Sequence, residues 1–209
     1  MRRGMPRFNE QEKVKIRLDL QQKGKHLFTV FGLKKTSIAD LTKAAGIAQG
    51  TFYLFYSSKE ELYFELLEQE EETIRGQMAE TYFNGGPLSR ERFKQFLRES
   101  LAVLESNPFL RQLYDEEFAE SLFRKLPADK LENNFTKDAD DLLPVIKKGQ
   151  QQGWIKPQNP EVIVSMIRSF ILLSLQKHLI GDKHYRDTMN LFIDLITDGL
   201  IIETKEIEP

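Results

Sequence analysis

The chain has 209 residues, 40% of them hydrophobic and 30% charged, the composition of a soluble globular protein with room for a small domain joined to a larger one. It has no cysteine, which excludes a disulfide framework, a thiolate metal site and a cysteine nucleophile, and no apolar run approaches the roughly 20 residues that span a bilayer, so a cytoplasmic protein is expected. The net charge of −2 hides an asymmetry: residues 1–60 hold 12 Lys and Arg against 5 Asp and Glu, and the rest hold 18 against 27, a basic head suited to a polyanion on an acidic body.

The chain reads as all-α, in about nine helices. A first helix is predicted from Asn9 to Phe31, capped by Asn9 with Glu12, with Ile16, Leu20, Leu27 and Phe31 as its apolar stripe and Gly32 as its end. Ser37 and Asp40 form a second capping-box pair that opens a short helix closing at Gly46. A third short helix covers "QGTFYLF", Gln49 to Phe55. Ser58 with Glu61 starts a long acidic fourth helix reaching about residue 82, and "NGGP" at 84–87 interrupts the chain. A fifth helix follows from Ser89 to Ser106. A sixth opens at "NP", 107–108, and closes at Pro127. A seventh, 128–152, contains Pro144, which predicts a kink or a split. Pro160 suits the first turn of an almost continuously apolar eighth helix, and a ninth follows Gly181.

Two short helices joined through Gly46, with small Ala44 and Ala45 before the turn, fit a helix-turn-helix. Ile38, Leu41, Ala45, Ile47, Phe52 and Phe55 are spaced to face inward, which leaves Gln49, Thr51, Tyr53 and Tyr56 on the outer or edge face. The second helix of such a unit lies in the major groove of double-stranded DNA and reads bases from its N-terminal end. Gln49 can pair bidentately with adenine, and Thr51 can bond a base or touch a thymine methyl. Gly50 keeps the approach bare. Tyr53 and Tyr56 offer hydroxyls to phosphates, and Ser37 and Lys59 suit phosphate oxygens, as do Arg2, Arg3 and Arg7 of the leading arm. For Ser37 the competing role is simple helix capping.

The stretch "TSIADLTKAAGIAQGTFYLFYSSKEEL", with "LFTVFG" at 27–32 before it, closely resembles the N-terminal signature of the TetR/AcrR family of transcriptional regulators. The likeness covers about residues 11–63. Thr42 departs from it where a small Ala is usual, and "FY" at 55–56 reverses the more frequent aromatic order, leaving open which ring packs and which hydroxyl is offered. The resemblance implies a helix-turn-helix DNA-binding domain over 1–57 and an effector-binding and dimerisation domain over 58–209, with the fourth helix as connector. It also implies a homodimer formed through the eighth and ninth helices, each head meeting one half of a palindromic operator.

The residues of the body agree, since those two helices carry more apolar surface than one packing stripe needs. A pocket for a small hydrophobic effector is expected among the fifth to eighth helices. Phe93, Phe96, Phe118, Phe123, Phe135 and Trp154 are its candidate walls, and Arg111, Tyr114, Arg168 and His178 its polar contacts. No cofactor or metal is expected. An enzyme is the rival from another class, but His26, His178 and His184 lack metal spacing, and no phosphate loop or nucleophile elbow is present. The remaining alternative is a DNA-binding dimer without an effector, gated by a protein partner.

Overall fold

The computed structural model describes residues 8–84, 86–126 and 142–202. In chain order it contains α1 (Glu10–Lys35), α2 (Ile38–Ala44), α3 (Gln49–Phe52), α4 (Lys59–Phe83) and α5 (Arg90–Ser106). A 3-10 helix (Leu110–Tyr114) and α6 (Glu116–Arg124) follow, then α7 (described over 142–151), α8 (Pro160–Ser174), α9 (Lys177–Ile180) and α10 (Tyr185–Leu200). The all-α expectation holds. The sixth predicted helix is broken after a turn of 3-10, and the ninth becomes α10, with the short α9 ahead of it.

Local chemistry sets most of these boundaries. Asn9 accepts from the Glu12 amide while the Glu12 carboxylate accepts from the Asn9 amide, both at 2.8 Å, so two orphan donors of α1 are satisfied reciprocally. Ser89 and Asp115 cap α5 and α6 in the same sense, and Asn159 caps α8 with Pro160 at its first position. Ser58 Oγ accepts from the Glu61 amide at the start of α4.

By compactness the described residues fall into two units, which divide inside α4. Residues up to Glu70 with Pro108–Leu126 form the first, and Glu71–Asn107 with the residues from 142 onward form the second. In the first unit Leu20, Phe28, Leu41, Phe52, Leu62 and Tyr63 are fully buried, each burial worth about 1.5–3 kcal/mol. Tyr63 is its hub. It stacks on Phe109 at 4.4 Å, meets Phe28 and Phe118 edge-on at 5.3 and 5.4 Å, and donates to the Phe109 carbonyl at 3.0 Å. The inward stripe of α1 runs through Leu20, Gly24 and Phe28, and Phe31 is exposed, contrary to the expected stripe. Gly24 explains the shift: a Cβ there would lie 3.1 Å from Leu62, so α4 packs where a side chain is missing.

The second unit has its own core, in which Phe93, Phe96 and Leu97 of α5 pack with Ile163, Val164, Ile167 and Phe170 of α8 and Met189 and Ile193 of α10. An isolated antiparallel bridge joins Ile155 to Ile201, with the Lys156 amide donating to the Leu200 carbonyl and the Ile202 amide to the Trp154 carbonyl, both at 2.8 Å. The loop after α7 is thereby pinned to the end of α10. Among the described residues no helix is long and apolar enough to cross a membrane.

Candidate nucleic-acid interface

The head is built from the end of α1 forward. Gly32 has φ 76° and ψ 161°, outside helical geometry, and only glycine takes such a φ without strain. Carbonyls around the kink and in the last turn of α1 accept further hydrogen bonds from side chains. Gln112 Nε2 donates to the Phe28 carbonyl at 3.3 Å, and Thr36 Oγ1 donates to the Gly32 carbonyl at 2.8 Å. The Lys59 ammonium donates to the Leu33 and Thr36 carbonyls, both at 2.7 Å, and burial holds its pKa below the ordinary lysine value. Lys59 is thus engaged within the chain and not held out for phosphate, a correction to the expected role.

The next residue, Ser37, caps α2. Its hydroxyl accepts from the Asp40 amide at 3.2 Å and donates to the Asp40 carboxylate at 2.5 Å, and the Ser37 amide donates to the same carboxylate at 2.9 Å. The hydroxyl bond, then the amide bond, depresses the Asp40 pKa. Ser37 is exposed, but capping is the role its contacts display. The turn after α2 uses Gly46 at φ 68°, and the Ile47 amide returns to the Thr42 carbonyl at 3.0 Å. Thr42, the departure from the family pattern, is buried, with its hydroxyl donating to the Ile38 and Ala39 carbonyls.

Beyond this turn α3 presents Gln49, Gly50 and Tyr53 to solvent, with Tyr53 57% exposed. Nothing lies within 4 Å of a Cβ placed on Gly50, so that spot is open to a partner. Leu41 and Phe52 are buried as expected, and Ile38, Ala45, Ile47 and Phe55 are half-buried.

Two side chains expected on the outer or edge face are buried. Thr51 is only 6% exposed and Tyr56 only 2%, so neither is offered to a groove. The Tyr56 ring lies 5.7 Å from Phe52, and the Arg17 guanidinium sits 5.3 Å from its centre. Burial, with Glu65 nearby, pushes the Tyr56 pKa up to about 12, so the hydroxyl stays protonated. The reversed aromatic pair is resolved: Tyr56 packs, and Phe55 sits half-buried. Arg17 and Gln21 also donate to Glu65 at 2.8 and 2.6 Å, and Lys25 pairs with Glu70, so α1 is laced to the start of α4.

Sequence reasoning passed over Lys34, Lys35 and Lys43, exposed cations on either side of the Ser37 cap. The charge count of the head was the signal that contained them, but it pointed first to Arg2, Arg3 and Arg7, which lie outside the described residues. A helix pair with a tight glycine turn, an exposed Gln-Gly-x-x-Tyr edge and flanking lysines has the donors needed for phosphates and the amide needed for a base edge.

Residues 22–66, which span this whole construction, match the family described as bacterial regulatory proteins, tetR family. That segment carries the TetR-family signature. A curated TetR-like relative, the HTH-type transcriptional regulator AcrR of Shigella flexneri, is 35% identical over 106 residues, covering 49% of this chain and 46% of AcrR. The chain therefore spans less than half the length of that relative. The fold likeness extends further. A TetR-family transcriptional regulator from Pectobacterium atrosepticum superposes with a TM-score of 0.75 at 17% identity, over 95% of this chain and 100% of the other. FadR from Bacillus subtilis, solved in complex with stearoyl-CoA, gives 0.62 at 17% identity, over 87% and 98%. The family matched by the head is one of regulatory proteins.

Outside the TetR-type head, nine of the ten residues expected to line a pocket lie among the described residues, and they are divided between the two units. Phe118 packs on Tyr63 in the first unit, where Arg111 is exposed and Tyr114 half-buried on the 3-10 helix. Phe93 and Phe96 are core of the second unit, 5.9 Å apart, with Phe83 4.8 Å from Phe96. Arg168 is half-buried on α8, and His178 is exposed on α9. Phe123 is partly exposed on α6, and Phe135 lies outside the described residues. Of the ten, Trp154 lines a cleft found in the second unit.

Proposed function

We propose that this chain is a TetR-family cytoplasmic homodimeric repressor that binds a palindromic operator and is released by a small hydrophobic ligand. One observation carries the DNA-reading half: an exposed Gln49, Gly50 and Tyr53 at the second helix of a helix-turn-helix, set in a basic head. Gln49 reads a base edge, Tyr53 reaches a phosphate, and Lys34, Lys35 and Lys43 supply sequence-independent attraction. Ser37 orients α2 through its cap.

The dimer reading is supported by apolar side chains left exposed on two helices of the second unit. Val162 and Leu172 share a face of α8 with Ser165 and Ser169, small residues that permit close helix approach, and Leu191 and Leu195 stand one turn apart on α10. Release by ligand is a population shift: a ligand that prefers the conformation with misplaced heads lowers DNA affinity by its differential affinity for the two conformations. Selection of bound duplexes from a random pool, repeated across salt concentrations, tests the reading. A twofold-symmetric site with a steep salt slope is expected. Recovery of no preferred sequence would overturn it.

A further inference from the structure

The cleft in the second unit has a volume of about 150 Å³. That is half the lower end of the range for drug-sized ligands, about 300 Å³, and close to the size of a cavity that accepts a single benzene, about 150 Å³. It therefore suits one ring and excludes an extended polycyclic or long-chain ligand.

Its walls are mainly apolar and include three aromatic residues. Tyr82 and Phe83, from the last turn of α4, and Trp154, from the loop after α7, line it together with Leu88 and Pro144. Three aromatic side chains at one small cleft favour an aromatic occupant through offset and edge contacts. The backbone bridge from Trp154 and Lys156 to the end of α10 holds the indole's loop in place before any ligand arrives, so little ordering cost falls on binding.

The charge at the rim selects further. Lys148 lines the cleft, carries an exposed side chain and has no carboxylate partner among the described residues, and no Asp or Glu is among the lining residues. An ammonium with no carboxylate partner among the described residues, beside three aromatic side chains, complements a ring bearing one negative charge. We propose that this cleft is a binding site for a monocyclic aromatic carboxylate, with the ring between Trp154, Tyr82 and Phe83 and the carboxylate on Lys148. The assignment rests on the effector reading above for its regulatory meaning, but the binding itself does not depend on it.

Trp154 is the chain's one tryptophan, so intrinsic fluorescence reports this site alone. The full-length protein is titrated with sodium benzoate, with benzyl alcohol and sodium acetate as probes lacking the charge or the ring. A saturable change in Trp154 emission with benzoate is expected, with acetate inert and benzyl alcohol weaker. Lys148→Gln, at an exposed position, should weaken benzoate by about tenfold, the loss of one charge-assisted hydrogen bond. Ala79→Leu, which places a larger side chain in the cleft wall while keeping Lys148, should abolish the saturable change with the helical circular-dichroism signal retained. No saturable change, an equal response to acetate, or benzyl alcohol matching benzoate with Lys148→Gln indifferent would each overturn the proposal. Duplex binding measured at saturating benzoate separates the two readings. Weaker DNA binding supports both, whereas unchanged DNA affinity with saturable fluorescence leaves the cleft assignment standing and overturns benzoate-class ligands as effectors.

Discussion

Replacing Leu191 and Leu195 together with glutamate is expected to yield a folded monomer whose affinity for a two-half-site duplex is lower by about 10²–10⁴-fold, the advantage that linkage gives a second binding event. The two side chains are 59% and 60% exposed in the isolated chain, so the chain's own core loses little. In the dimer the same positions would force four carboxylates into an apolar contact, where unpaired charge is strongly disfavoured. Light scattering after gel filtration reads the mass, and fluorescence anisotropy with the selected duplex reads the affinity. An unchanged dimer would place the interface elsewhere, and a monomeric parent protein would remove the dimer from the account.

Lys59→Met is expected to lower the melting temperature by about 4–8 °C, from a loss of about 2 kcal/mol. The ammonium serves two carbonyls, of Leu33 and Thr36, that the end of α1 leaves without helical donors. Methionine keeps the stem and removes both bonds, so the end of α1 loosens just where it delivers Ser37 to cap α2. DNA affinity should fall with it, by about tenfold for each 1.4 kcal/mol transmitted. The salt slope separates this from a phosphate contact. A strut leaves the slope unchanged and lowers stability, whereas a phosphate ligand lowers the slope by about one per site and leaves stability unchanged. A reduced slope with no thermal loss would restore the phosphate role.

What could be read from the chain beforehand was local. Asn9 with Glu12, Ser37 with Asp40, Ser89 and Pro160 fix helix starts through partners three residues away or fewer, and all reappear in the structure. Gly46 sets its turn by its own φ. The misread positions depend on residues far along the chain. Lys59 is claimed by carbonyls 23 and 26 positions away, and Tyr56 is enclosed beside Arg17, on a helix that periodicity alone could not orient. The stripe of α1 was misplaced because its centre is Gly24, a contact made by the absence of a side chain. Residues 108–126 join the first unit through Tyr63, Gln112 and an ion pair of Lys125 with Glu60 at 2.7 Å, none of which leaves a periodic trace. The expected pocket was hard to place for a related reason. Phenylalanines at helical spacing were as compatible with core as with a ligand wall, and Phe93, Phe96 and Phe118 are core. The cleft that does form takes its rings from the end of a helix and from a loop.

The account turns on α3 reading bases through Gln49, and a repeat of the duplex selection with Gln49→Ala tests that directly. Gln49 is exposed and makes no contact that holds the fold, so the variant should fold and dimerise as the parent does. The predicted result is a site of the same symmetry and spacing in which one base pair of each half-site loses its preference, with affinity for the parent site reduced by about 1–3 kcal/mol. An unchanged selected sequence with unchanged affinity would contradict it.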